Sequence, residues 1–200
     1  MRLQKILLLL LCGSSLSGFA QSESTITTDV TKITFLNPGI GYEKSIGNGH
    51  TLHAQAFINA SVEYTYSNSF GGDFSASFDP ALLVQYRYYY NYRQRQDNGK
   101  RTEMNSMNYI SPTFQTVLSK NRVSTDHALE MERRPINAAG VVWGLQRNYE
   151  KRFSLDLNLG LGYLFTTTTL QGGPQPVKEN VGMLTMMGQL NLGFWLNKRD

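Results

Sequence analysis

The chain has 200 residues, of which 19 are Lys or Arg and 15 are Asp or Glu, giving a formal net charge of +4. Such a small positive excess argues against a nucleic-acid-binding protein, which concentrates basic residues on one surface. A single cysteine excludes a disulfide-stapled fold, and no stretch after the first 20 residues approaches the roughly 20 apolar residues of a transmembrane helix.

Residues 1–20 have the pattern of a secretory signal peptide. Two basic residues precede an apolar run, and Ala20 ends a stretch of small residues where cleavage is expected. The only cysteine, Cys12, lies in this leader behind three leucines, whereas a lipoprotein site needs a small residue there. Residues 21–200 are therefore predicted to form one exported domain without cysteine, carrying 17 basic against 15 acidic residues.

After the leader, apolar and polar residues alternate with a period of two, which predicts strands with one apolar and one polar face. Most of these segments are longer than the roughly 5–6 residues typical of strands in globular proteins. The predicted strands are 33–46, 50–66, 81–96, 103–120, 138–150, 155–165 and 181–197.

The connections between these strands are predicted to alternate in length. Tight turns on one side and long loops on the other are typical of outer-membrane barrels. The short connections are 47–49, 97–100 and a turn near 151, and the long ones are 67–79, 121–136 and 170–180.

The polar faces distinguish a membrane barrel from a soluble sandwich. They carry Gly, Asn, Ser, Gln and isolated charges, which suit a crowded barrel interior better than a surface in water. Aromatic residues such as Tyr64, Tyr163 and Phe194 fall near strand ends, like the aromatic girdles of outer-membrane proteins. The predicted fold is all-β, an antiparallel up-and-down transmembrane β-barrel in the outer membrane, and a secreted soluble β-protein is the alternative.

Seven strands are legible, whereas a barrel with both termini in the periplasm needs an even number. The missing strand is best placed by dividing the first segment into 25–36 and 40–46 at Asn37-Pro38-Gly39. Eight strands are therefore predicted.

Several stretches resemble the small outer-membrane β-barrel proteins common in Bacteroidota, most of which are uncharacterised. They are NPGIGYEKSIG (37–47), QYRYYYNYRQR (85–95), the segment 140–165 and the closing LNLGFWLNKRD (190–200). The resemblance implies insertion by the barrel assembly machinery, and it implies no catalytic residue.

Charged residues on the polar faces are predicted to share a narrow lumen, where charges removed from water must pair. An ion-pair network would fill an eight-stranded barrel, which is just wide enough for side chains. A narrow channel or a site for a small ligand or lipid stays open as the alternative. The predicted network comprises Glu43, Glu63, Arg87, Arg93, Arg95, Glu150 and Asp156.

A basic stretch in the third long connection could contact lipopolysaccharide phosphates, because Lys and Arg suit that charge. A solvated loop is the alternative explanation. The residues are Lys120, Arg122, Arg133 and Arg134.

No catalytic residue, metal or cofactor is predicted. Ser124, His127 and Glu130 match the residue types of outer-membrane lipid hydrolases, but proximity in a loop does not supply a nucleophile with an oriented base. His50 and His53 form no metal-binding pattern with other His or Cys residues. The sequence thus predicts a structural or interaction protein of the outer membrane, whose partners are outer-membrane lipid and lipopolysaccharide.

Overall fold

The computed structural model describes residues 26–67, 71–120, 133–170 and 177–198, and the side chains of 62–76 and of residue 170 lie outside the description. The predicted signal peptide at 1–20 also lies outside the described residues. Within these ranges, no helix is long and apolar enough to cross a membrane.

Eight antiparallel strands form a closed barrel in which each strand pairs with the next along the chain and the last pairs with the first. This confirms the predicted all-β, up-and-down barrel and its eight strands. The described residues also contain one short helix, α1 (Tyr92–Asp97), and a 3₁₀ turn (Glu103–Asn105). The strands are β1 (Val30–Leu36), β2 (Gly39–Gly47), β3 (His50–Ser67), β4 (Gly71–Tyr89), β5 (Asn108–Ser119), β6 (Arg134–Asn148), β7 (Phe153–Leu170) and β8 (Val177–Trp195).

The first two strands separate at Asn37 and Pro38, where the sequence places the break. Asn37 has a φ of 55°, which its short amide side chain tolerates, and Pro38 has no N–H for a strand ladder. The hairpin on either side has strands of only 7 and 9 residues, the shortest of the eight.

The barrel has two unlike ends. The terminal end holds the start of β1, the end of β8 and the connections at 48–49, 90–107 and 149–152. At the opposite, hairpin end, β3 and β4 stay paired up to Ser67 and Gly71, and β7 and β8 up to Leu170 and Val177. These two long hairpins rise beyond the short β1–β2 hairpin that lies between them.

The long connection predicted at 67–79 is wrong, because most of it belongs to the β3–β4 ladder. The period-two pattern of Phe74, Ala76 and Phe78 continues through this segment, and small serines between them obscured it. The strands therefore extend further than the legible apolar residues indicate.

The tight turn predicted at 97–100 is also wrong. The chain leaves β4 after Tyr89 and forms α1 and the 3₁₀ turn before β5 begins. Beyond Asn91 the residues are mainly Arg and Gln, which favour a helix once no strand partner is present.

The alternation places polar side chains in the lumen and apolar side chains outside. On β7, Asp156 and Asn158 are buried, whereas Leu159 and Leu161 are 54% and 70% exposed. Two small apolar clusters complete the lumen, one around Tyr109 and one formed by Phe57, Ala81 and Leu83. The interior is thus mainly polar, and large apolar side chains lie on the outside.

Candidate functional site in the barrel lumen

Four charged side chains from four strands meet in the lumen near the terminal end. They are Lys32 of β1, Glu43 of β2, Arg87 of β4 and Asp156 of β7, each at an inward position of its strand. All four are at most 3% exposed. We refer to them as the lumen charge cluster.

Arg87 lies between the two carboxylates of this cluster. Its Nη2 is 2.9 Å from Asp156 Oδ2, and its Nη1 is 3.6 Å from Glu43 Oε2. Lys32 Nζ is 3.5 Å from Asp156 Oδ2 and 3.8 Å from Glu43 Oε2, and it donates to Gln146 Oε1. Two cations thus face two anions, and the cluster has no formal net charge.

Hydrogen bonds from neighbouring elements complete the coordination of Glu43. Its Oε1 accepts from Thr51 Oγ1 (2.8 Å), Tyr89 OH (2.7 Å) and Asn105 Nδ2 (3.0 Å). Its Oε2 accepts from Gln146 Nε2 at 3.1 Å. Asn105 belongs to the 3₁₀ turn, so the long connection at the terminal end folds into the barrel and contributes to the cluster.

The other carboxylate and the guanidinium are held by aromatic and amide groups. Tyr109 OH donates to Asp156 Oδ1 at 2.7 Å, and the guanidinium carbon of Arg87 lies 4.4 Å from the centroid of the Tyr109 ring. Arg87 Nε and Nη2 donate to Gln85 Oε1 at 2.9 and 2.6 Å. Charge-assisted bonds of this kind are shorter and stronger than neutral ones.

The arrangement closes the lumen. A cavity of about 10 Å³, room for about one water molecule, adjoins Lys32, His53 and Asp156. His53 is 2% exposed, and neither of its ring nitrogens has a hydrogen-bond partner within the described residues. The cluster is therefore a plug that joins strands across the barrel, and the cavity beside it is the size of one water molecule.

The structure brings together Glu43, Arg87 and Asp156 of the predicted network. It adds Lys32, which is absent from the predicted network because it precedes the legible alternation that begins at residue 33. Val30, Lys32 and Thr34 are all buried and share one face of β1. Period-two counting from the turn at 37–38 is the signal that could have identified Lys32.

Three predicted members of the network lie elsewhere, so the prediction is wrong for them. Arg93 and Arg95 fall on α1 beyond the end of β4, where Arg95 donates to the carbonyl of Arg101. Glu150 is exposed in the turn between β6 and β7, with Oε1 3.5 Å from Arg101 Nη1. The error arose from extending the period-two pattern past the strand ends. The side chain of Glu63 lies outside the description.

The basic residues proposed for lipopolysaccharide do not share one environment. Lys120 is exposed after the end of β5, and Arg122 lies outside the described residues. Arg133 Nη2 is 3.6 Å from Asp79 Oδ1, whereas the Arg134 side chain is half-buried beside a cavity of about 390 Å³. Ser124, His127 and Glu130, considered for hydrolysis, also lie outside the described residues.

In the part of the chain that the structure describes, no group of three or more His, Cys, Asp or Glu side chains could hold a metal ion. The contacts of the lumen charge cluster are ion pairs and hydrogen bonds. No family model, curated protein or solved structure matches the chain.

Proposed function

We propose that the chain is an integral outer-membrane protein that works through the surfaces it presents rather than by conducting solutes. The observation that carries this proposal is the outer wall, where large apolar side chains are exposed around the barrel. Soluble proteins rarely expose such a continuous apolar surface, whereas a lipid-facing wall requires one. Examples from five strands are Ile40 (63%), Phe78 (65%), Val141 (55%), Leu161 (70%) and Leu184 (83%).

Exposed aromatic side chains near both limits of this wall support a membrane-spanning position. Near the terminal end, Trp143 Nε1 donates to Tyr90 OH at 2.8 Å, and Tyr88 stacks on His50 with ring centroids 4.8 Å apart. A β-strand rises about 3.3 Å per residue and is tilted by about 45° from the axis of such a barrel. Phe153 and Phe165 of β7 are then about 28 Å apart along the barrel axis. This separation is close to the roughly 25 Å apolar band of outer-membrane barrels.

In the proposed orientation, the terminal end faces the periplasm and the two long hairpins project outside. The neighbours of Lys120 and Arg133 would then be outer-membrane lipid and lipopolysaccharide. The resemblance to Bacteroidota barrel proteins, and insertion by the barrel assembly machinery, stay predictions.

The proposal is tested by fractionating cells that express the full chain and running the detergent extract on a denaturing gel with and without boiling. We expect the protein in the outer-membrane fraction and a boiling-dependent shift in migration, because a closed barrel resists the detergent until heated. Recovery in the soluble fraction with no shift would contradict the proposal and favour the secreted soluble alternative.

The plug gives no support to the alternative of a narrow channel. A second candidate, binding of a small ligand or lipid, is favoured by a cavity of about 350 Å³ on the hairpin side of the plug. The lipid-hydrolase alternative gains no support from the described residues.

A further inference from the structure

The barrel wall has a gap on the hairpin-end side of the turn at 37–38, because β1 and β2 are shorter than the neighbouring strands β8 and β3. Asn37 Nδ2 donates to the Leu190 carbonyl at 3.0 Å, and Ile58 N–H donates to the Pro38 carbonyl at 2.9 Å, so these strand positions mark the level of the turn. Beyond Ile58, β3 extends toward the hairpin end as far as Ser67. On the other side, the part of β8 that precedes Leu190 in the chain extends toward the same end, as far as Val177. Among the described residues, no strand fills the space between them.

We call this interruption the notch. It has the width of two absent strands, or three spacings of about 4.8 Å along the wall, roughly 14 Å in all. Its sides rise to Ala60, which pairs with Phe78, and to Leu184, which pairs with Tyr163. Phe78 and Tyr163 are exposed aromatic residues near the hairpin end of the wall. The turn at 37–38, which closes the notch on its other side, therefore lies closer to the terminal end than these aromatic residues do.

The rim of the notch is apolar and continuous with the outer wall. Phe35, Leu36 and Ile40 flank the turn and are 55%, 40% and 63% exposed. On the β8 side, Met186 and Leu190 are 70% and 41% exposed. A turn directed toward water would carry polar residues here, so the rim is suited to hydrocarbon.

Behind the rim, the notch opens into the cavity of about 350 Å³, which contains amides and no charged side chain. Phe57 lines the cavity on the side toward the terminal end, and Asn59, Gln115 and Gln189 contribute their amide groups. Neither the nitrogen nor the oxygen of the Gln189 side chain has a hydrogen-bond partner within the described residues.

A second amide with an unsatisfied nitrogen lies beside Gln189. Asn158 is directly opposite it on β7 and is 4% exposed. Its side chain interacts with Tyr109, but its Nδ2 makes no hydrogen bond of normal geometry within the described residues. Buried amides without partners cost free energy, so a ligand that supplies hydrogen-bonding groups would stabilise this part of the lumen.

We propose that the notch admits a membrane lipid from the bilayer. The uncharged ester or amide linkage of the lipid binds the amides of Gln115, Gln189 and Asn59 in the cavity, and its hydrocarbon chain leaves through the notch. An ion is a poor occupant because the lining has no charge, and a soluble ligand does not need the apolar rim. This inference rests on the proposed membrane location.

The test is quenching of tryptophan by phosphatidylcholine with dibrominated chains. A Phe57→Trp variant is made in a Trp143→Phe background and reconstituted in vesicles of brominated or ordinary lipid. We expect brominated chains to remove most of the emission of the introduced tryptophan, whereas Trp195, which is 1% exposed behind an intact wall, keeps its emission.

Two matched variants show whether the chain enters through the notch. Ala60 lines the cavity at one side of the notch, so Ala60→Leu narrows the opening and is expected to reduce the quenching of the introduced tryptophan. Ala54→Leu places the same side chain on the same outward face of β3, below the turn, and should leave the quenching unchanged. Equal emission in both lipids, or equal quenching in both variants, would overturn the proposal.

Trp143 of the unmodified protein separates failure of this inference from failure of the membrane location. It is 44% exposed on the outer wall, so brominated lipid quenches it if the barrel spans the bilayer. Quenching of Trp143 without quenching of the tryptophan introduced in the cavity would reject the notch alone, whereas no quenching of Trp143 would reject the membrane location.

A second measurement does not depend on the folding of the tryptophan variant. Lipid retained after detergent exchange is quantified by mass spectrometry for Gln189→Leu and for Gln96→Leu, a matched change on the exposed helix α1. We expect Gln189→Leu to lose retained lipid and Gln96→Leu to keep it. Equal retention of lipid by the two variants would contradict a role for the amides. If the purified protein formed dimers that carried no lipid, a second copy of the chain would be the occupant and the proposal would be overturned.

Discussion

Arg87 is the side chain on which the lumen charge cluster depends most, because it contacts both carboxylates and the ring of Tyr109. Neither Asp156 nor Glu43 would be balanced by Lys32 alone, whose nitrogen is at least 3.5 Å from each. Since bulk solvent does not reach the cluster, its charges must be compensated mainly by one another.

We expect Arg87→Met to lower the free energy of unfolding by about 3–5 kcal/mol, the usual cost of leaving a buried charge unpaired. Adding Asp156→Asn restores charge balance and should recover part of this loss. Urea titration in lipid vesicles measures both changes.

Lys44 provides the control for this prediction. Its Nζ lies 2.7 Å from Asp29 Oδ2, but the two side chains are 57% and 38% exposed. Lys44→Ala should therefore change the free energy of unfolding far less than Arg87→Met does, because water screens an exposed ion pair. If Arg87→Met cost no more than Lys44→Ala, the cluster would not stabilise the barrel.

The sequence predicted three members of the cluster because inward positions follow from period two. It could not predict which inward residues meet, since that depends on how far each strand is shifted when the barrel closes. Glu43 and Asp156 are far apart in the chain and share Arg87 only in the closed ring. Arg93 was misassigned for a related reason, because alternation does not mark where a strand ends.

At the scale of elements, β5 and β6 are fitted to each other by a glycine. Gly144 pairs with Tyr109, and a Cβ added at Gly144 would overlap Tyr109 Cζ, far inside van der Waals contact. The absence of a side chain on β6 therefore lets the ring lie across the strand and reach Asp156.

Gly144→Ala is expected to displace Tyr109 and lower the free energy of unfolding by about 1–3 kcal/mol, a typical cost of overpacking. The temperature at which the gel shift disappears should fall with it. Gly188→Ala is the control, because the added Cβ meets the flexible end of Leu159 at 3.3 Å. A similar fall in both variants would contradict a specific role for Gly144.

Among the elements, strands were easier to predict than connections. The divided first segment was placed correctly because Asn37 and Pro38 are strong local turn residues. The hairpin at Ser67 and Gly71 extends a ladder whose stability comes from pairing across strands, so local residue types do not fix its length. The notch could not be predicted, since it arises from unequal strand lengths around the ring.

For the whole molecule, the two halves of the lumen differ. The half near the terminal end is filled by the charge cluster, and the half near the hairpin end contains the uncharged cavity behind the notch. Access to this cavity from the bilayer would not require a path through the plug, so lipid binding and a closed lumen are compatible.

We expect no conductance steps from the unmodified protein in planar lipid bilayers. Arg87→Ala combined with Asp156→Ala removes two side chains that cross the lumen while keeping the cluster neutral, and steps should then appear. Conductance in the unmodified protein would favour the narrow channel instead. Steps of equal size in both proteins would show that the cluster does not close the barrel.

The distribution of the cluster along the chain limits the order in which the lumen can be completed. Lys32 and Glu43 emerge first, whereas Asp156 arrives only with the seventh strand. Until then the early charges have no complete set of partners and must stay hydrated. The interior therefore stays wet until the last strands arrive, and water leaves the lumen only as the cluster is completed.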